Sequence, residues 1–174
     1  MMIEHKILIT GTVGAGKTTA IAAVSEITPV STDVTNTDAT VDKEKTTVAF
    51  DYGQVTIAEG ERLRVYGTPG QERFSFMWKV LAKGALGLII LVDNTRPDPF
   101  SDLCIYLENF KQLISEKSCV ICLTKIDKSN TSRVNEFASF IGQRGLVCPV
   151  VAVDIREKED VLMVLDLLFT QLYV

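Results

Sequence analysis

Residues 11–18 read Gly-Thr-Val-Gly-Ala-Gly-Lys-Thr, a G-x-x-x-x-G-K-T run that few chain geometries can carry. It needs a strand before it and a helix after it. Residues 5–10 (HKILIT) form a short, bounded apolar run that predicts a buried strand, and residues 16–27 place Ala20, Ile21, Val24 and Ile27 at helical spacing. Glycines let such a loop wrap closely, so that several backbone N–H groups point at one anion, and the helix start adds favourable partial charge. The ligand that fits is a nucleoside triphosphate with Mg²⁺. Gly11, Gly14, Ala15, Gly16, Lys17, Thr18 and Thr19 are expected to line its phosphates, Lys17 reaching the β- and γ-groups and Thr18 the metal.

Strand-like and helix-like runs alternate through the rest of the chain. Residues 29–45, rich in Thr, Asp and Ser, predict a long loop. Residues 47–58 and 63–66 flank Glu59-Gly60-Glu61 as a hairpin. Helices are predicted at 74–83, at 100–114 (announced by Pro99 and capped near Ser101 and Asp102), at 134–141 and at 158–172; strands are predicted at 86–92, 119–124 and 146–153. This order predicts a three-layer α/β fold. Its mixed sheet has six strands, five parallel and one antiparallel at the edge, with helices on both faces. Without repeats or a linker-like stretch, residues 1–174 are expected to form one domain.

Composition narrows the classes. With 47% hydrophobic residues the chain can bury a core, so intrinsic disorder is not expected. A net charge of −4 argues against nucleic-acid binding through a broad basic face. The longest apolar run, residues 85–92, is far short of the roughly 20 residues a bilayer requires, and no lipidation motif is seen, so no direct membrane anchor is expected. Four cysteines without a secretory signal point to free thiols and a cytoplasmic protein. Cys119 and Cys122 fall on opposite faces of a strand and cannot chelate together, while Cys104 and Cys148 show no informative spacing. His5, the one histidine, is expected to be exposed and inert.

Directly after the 119–123 strand comes Thr124-Lys125-Ile126-Asp127. A carboxylate at a strand end can accept both N–H donors of guanine's Watson–Crick edge, a pair adenine lacks. With the phosphate loop upstream, these residues make the chain resemble the Ras-like small GTPases over nearly its whole length. Gly67-Thr68-Pro69-Gly70-Gln71-Glu72-Arg73-Phe74 is similar to the family's D-T-A-G-Q-E-[RK]-[FY] segment, Thr124–Asp127 to N-K-x-D, and Asp154-Ile155-Arg156 to the S-A-K loop. The T-P-G-Q-E-R-F-x-F-M-W wording resembles a prokaryotic branch akin to the bacterial gliding-motility and cell-polarity GTPases.

The resemblance implies a GTP/GDP-binding switch with slow Mg²⁺-dependent hydrolysis. By it, Lys125 stacks on guanine, Asp127 selects it, and the Ile155 N–H beside Asp154 meets its oxygen. Thr18 and Thr47 hold Mg²⁺, the Gly70 N–H meets the γ-phosphate, and Gln71, with Lys17, is catalytic. Residues 30–47 and 67–78 are the expected switch segments, speaking to an exchange or activating protein and to an effector. Five bulky residues in six positions cannot all face inward on one helix, so Arg73, Phe74, Phe76 and Trp78 are candidate partner contacts. Arg62, Arg64 and Arg96 are open as arginine fingers in cis.

Three residues depart from the family. Gly67 replaces the aspartate that supports Mg²⁺, and Asp51 is the candidate replacement, with Asp93 second. Thr124 replaces an asparagine that ties the base loop to the phosphate loop, and Pro69 replaces alanine, fixing φ before Gly70. Two rival readings stay open: a non-hydrolysing nucleotide-binding adaptor, and a P-loop ATPase or kinase.

Overall fold

The computed structural model describes residues 1–35, 47–127 and 130–173. The expected six strands are present: β1 (Ile3–Gly11), β3 (Thr47–Ala58), β4 (Glu61–Gly67), β5 (Gly87–Asp93), β6 (Ser118–Thr124) and β7 (Val150–Ala152). β4, β1, β5, β6 and β7 run parallel, and β3 is antiparallel to β4. A further strand, β2 (Val30–Thr35), pairs antiparallel to β3, giving the order β2-β3-β4-β1-β5-β6-β7. It falls in the stretch expected to be loop and takes the edge position expected for β3. Its Val-Ser-Thr-Asp-Val-Thr sequence is dominated by β-branched residues, which favour a pleated backbone. The rest of that predicted loop, residues 36–46, lies outside the described residues.

The central strands are buried over their whole length, as parallel strands covered on both faces must be. On one face α1 (Lys17–Val24) and α6 (Lys158–Thr170) pack on Ile7, Ile9, Ile89, Val120 and Cys122. On the other, α2 (Ser75–Ala82), α3 (Pro99–Asn109) and α5 (Thr131–Gly142) cover Leu8, Leu88, Ile90, Ile121 and Leu123. Each such side chain contributes about 1.5–3 kcal/mol by leaving water.

Local chemistry explains where elements depart from expectation. The helix expected over 100–114 divides into α3 and α4 (Lys111–Glu116). The break falls at Phe110, 2% exposed, whose ring stacks on Trp78 with centroids 5.9 Å apart. The α3 cap is Asp98, whose carboxylate accepts from the Ser101 N–H at 3.1 Å, one turn earlier than expected. β7 is shorter than expected because Pro149 has no N–H to donate to the ladder. His5 is half-buried beside Glu61, Nε2 to Oε2 3.3 Å, rather than exposed. Among the described residues no helix is long and apolar enough to cross a membrane.

Candidate functional site

The phosphate loop leaves β1 at Gly11 and enters α1 through Gly16, whose φ of 109° is open to glycine and costly for other residues. A Cβ on Gly16 would lie 1.8 Å from Ile155 Cδ1, so the loop after β7 packs directly on the phosphate loop. Lys17 is 9% exposed, and its ammonium donates to the carbonyls of Gly11 at 2.6 Å and Thr12 at 2.8 Å. Burial pulls the Lys17 pKa down to about 8, against the opposing pull of Asp51. A lysine arched over its own loop in this way is a cation held ready for an anion inside a ring of amides.

Asp51 stands beside it. The Thr18 hydroxyl donates to the Asp51 carboxylate. In the sheet Asp51 is the cross-strand partner of Gly67, and a Cβ on Gly67 would sit 3.5 Å from Asp51 Cβ, 3.8 Å from Asp51 Oδ2 and 3.0 Å from Ile21 Cδ1. A side chain at position 67 would therefore lie in ordinary contact beside the Asp51 carboxylate, with Ile21 as its tight neighbour. Hydroxyl and carboxylate oxygens next to a phosphate loop suit a hard cation such as Mg²⁺, which takes one or two protein oxygens and completes its shell with phosphates and water. Thr47 opens β3 opposite Thr35.

Gly70 touches the loop from the other side. A Cβ there would meet Lys17 Nζ and the Val13 backbone N, both at 2.8 Å. The preceding Pro69 is buried, and its carbonyl accepts from the Trp78 indole N–H at 2.7 Å. Trp78 is 1% exposed and wedged against Tyr106 and Phe110. This corrects the expectation that Trp78 offers a partner surface: it anchors the segment inward. Arg73 and Phe76 are exposed, Phe74 is half-buried under the Arg73 guanidinium, and Val80, one turn beyond Phe76, is 52% exposed as well. Gln71 is exposed, and its amide oxygen accepts from Arg73 Nε at 2.6 Å.

A cavity of about 710 Å³ lies beyond the phosphate loop at the C-terminal ends of the parallel strands, where ligands of open α/β sheets bind. Gly14, Gly16, Lys125, Asp127, Asp154 and Ile155 line it, so three separate sequence segments meet there. The Thr124 hydroxyl donates across 109 residues to the Ala15 carbonyl at 3.1 Å, joining the base loop to the phosphate loop. Arg156 grips Asp154 through Nε at 2.8 Å and a terminal nitrogen at 2.7 Å.

Some candidates are not in the site. Arg62 and Arg64 pair with Glu4 at the far end of the sheet, and Arg96 forks onto Asp102. Asp93, the second candidate for the metal carboxylate, is committed to Lys125 and Thr95 instead. Cys119 and Cys122 are buried, and burial pushes the Cys122 thiol up. Cys148, half-buried, packs in the same core cluster as Cys119, a proximity that linear spacing hides.

Comparison with known proteins finds a matching family and several relatives. A family described as "Conserved hypothetical ATP binding protein" matches residues 30–146, more than half of the chain. The Ras-related protein Rab-18-B of Danio rerio is 34% identical over 131 residues, 72% of this chain and 58% of that protein. The Ras-related protein RABC2a of Arabidopsis thaliana is 26% identical over 164 residues, 91% of this chain and 73% of that protein. The GTP-binding protein ypt2 of Schizosaccharomyces pombe is 30% identical over 114 residues, 64% and 52%. The chain thus spans between about half and three quarters of the length of these relatives.

Proposed function

The chain belongs to the family described as "Conserved hypothetical ATP binding protein" and to the Ras-like P-loop GTPase superfamily, and from that premise we propose that residues 1–174 form one GTP/GDP-binding unit that works as a switch with slow GTP hydrolysis. The observation that carries the reading is the Thr124–Ala15 hydrogen bond, which sets the Lys125–Asp127 loop and the phosphate loop around one cavity. A nucleotide with phosphates on Gly11–Thr19 would present its base to Asp127, whose carboxylate suits guanine's two N–H donors and repels adenine's acceptor N1. The Ile155 N–H, beside Asp154, is the donor for the guanine oxygen. The T-P-G-Q-E-R-F-x-F-M-W wording further suggests the prokaryotic gliding-motility and polarity branch.

Hydrolysis needs no covalent intermediate. Water attacks the γ-phosphorus in line, the bond to the β–γ bridging oxygen breaks, and GDP and phosphate leave. Lys17 stabilises charge gathering on the bridge and γ-oxygens, and the Gly70 N–H holds a γ-oxygen. Gln71 orients the water, for which its amide must first leave Arg73. Mg²⁺, when bound, neutralises phosphate charge, and Thr18, Thr47 and Asp51 are the residues to hold it, directly or through water. Phe76 and Val80 on α2, with Arg73 and Phe74 in the turn just before it, form the surface proposed for a regulator or effector, because this stretch follows Gly70 and Gln71 directly along the chain.

The family's description keeps ATP as the second reading. Extraction of the co-purifying nucleotide and competition of GTP against ATP decide between them. GTP is expected to displace a bound guanine nucleotide at far lower concentration than ATP, and Asp127→Ala is expected to shrink that gap. ATP competing as well as GTP overturns the guanine assignment. Single-turnover hydrolysis no faster than in buffer overturns the enzymatic part and favours the adaptor.

A further inference from the structure

Asp93 ends β5 and pairs in register with Thr124, which ends β6. Its carboxylate is only 6% exposed, a setting in which a charge is costly unless it is paired. One oxygen accepts from the Thr95 N–H at 2.9 Å and the Thr95 hydroxyl at 2.6 Å, and the other takes the Lys125 ammonium at 2.9 Å. Burial pushes the Asp93 carboxyl up, but these bonds outweigh it and hold it below the usual carboxylate range. Lys125 is also the one non-glycine among the described residues with positive φ, at 56°. Both ends of its side chain are therefore fixed: the backbone in the left-handed region, the ammonium on Asp93. The Lys125 side chain is 47% exposed and lines the 710 Å³ cavity.

An apolar stem pinned at both ends is a ledge, and a ledge beside Asp127 suits the flat face of a base. A free lysine would have to give up its rotamers each time a base bound. The neighbouring residue, Thr124, brings one hydroxyl to the phosphate loop, and to the Val92 carbonyl at 3.3 Å, where the resembled family has a carboxamide. We propose that Asp93 is a positioning residue of the base site, which through its ion pair sets the Lys125 stem as the platform for the purine ring. The inference rests on the guanine-switch reading and extends it to a residue outside the nucleotide's reach.

The test measures release of N-methylanthraniloyl-GDP from the full chain in the presence of Mg²⁺. Asp93→Asn, which keeps the shape and loses the charge, is expected to release the probe about tenfold faster. Lys125→Met, which keeps an apolar stem and loses the ammonium, is expected to show a similar loss. The double variant is expected to be no worse than either single, because both remove one interaction. Thr95→Val removes a bond to the same carboxylate without touching Lys125, and its release is expected to stay within about twofold of wild type. An unchanged Asp93→Asn, losses that multiply in the double variant, or Thr95→Val as impaired as Asp93→Asn overturns the inference. Should Asp93→Asn fail to fold, as judged by its nucleotide-free melting curve, Lys125→Met against Thr95→Val decides alone: equal release from both overturns it. A wild-type chain that does not bind the probe overturns the guanine-switch reading and this inference together. Tight binding by wild type and Asp93→Asn alike overturns this inference only.

Discussion

Asp51→Ala is expected to weaken GDP binding by roughly 30- to 100-fold at millimolar Mg²⁺, and to change it little when EDTA removes the metal. The Thr18 hydroxyl already donates to this carboxylate, and Asp51 faces Gly67 across one rung of the β3–β4 ladder. Losing a hydrogen-bonded charge beside a divalent cation costs about 2–3 kcal/mol, which sets the magnitude. The metal dependence separates the proposed role from a structural one, since a damaged strand would weaken binding with and without Mg²⁺. A second variant sharpens the test. Exchanging the two residues, Asp51→Gly with Gly67→Asp, returns a carboxylate to the same space from the other strand. It is expected to recover most of the lost affinity, provided Ile21 gives way by the few tenths of an ångström that its 3.0 Å contact demands. A Mg²⁺ titration in which Asp51→Ala matches wild type would remove Asp51 from the metal site.

Gly70→Ala should strike a different step. Its new methyl group would lie 2.8 Å from the Val13 backbone N and 3.0 Å from Val13 Cα. The Lys17 ammonium at 2.8 Å can swing aside, but the phosphate-loop backbone cannot, so the segment carrying Gln71 must stand off. A displacement of the order of 1 Å in a water-orienting group costs about 100-fold in rate. GTP hydrolysis is therefore expected to fall about 100-fold, with GDP affinity held within about threefold because GDP lacks the phosphate that Gly70 is proposed to meet. Single-turnover hydrolysis and equilibrium binding measure the two quantities separately. Hydrolysis at the wild-type rate would mean that Gly70 does not approach the loop during turnover.

The parts of the molecule that were readable in the sequence are those set by local rules. The strand before Gly11 and the helix after Gly16 follow from an apolar run and a 3.6-residue period. The buried strands over Gly87–Asp93 and Ser118–Thr124 follow from uninterrupted apolar stretches. What escaped depends on contacts between distant segments. Phe100–Ile114 reads as one helix until Phe110 finds Trp78. Trp78 itself looks like a surface anchor until Pro69 supplies a carbonyl for its N–H. β2 hid inside a polar stretch because Thr and Ser serve loops and edge strands alike. In the site, the glycine at position 67 points to Asp51 as a candidate, and its carboxylate accepts from the Thr18 hydroxyl. That Asp93 takes Lys125 and Thr95 is hidden too, because a sequence does not reveal which of two carboxylates a lysine will take.

The bond between Trp78 and Pro69 has an experimental consequence. The chain has one tryptophan, and its indole is sealed from water while holding the carbonyl next to Gly70. Excited at wavelengths that its four tyrosines do not absorb, the chain therefore emits from one residue, at the base of the segment proposed to sense the γ-phosphate. If that segment shifts between the GDP and GTP states, the indole loses or gains a hydrogen bond and its emission moves with it. The turnover cycle could then be followed by light on the unmodified protein, with no label placed near the nucleotide.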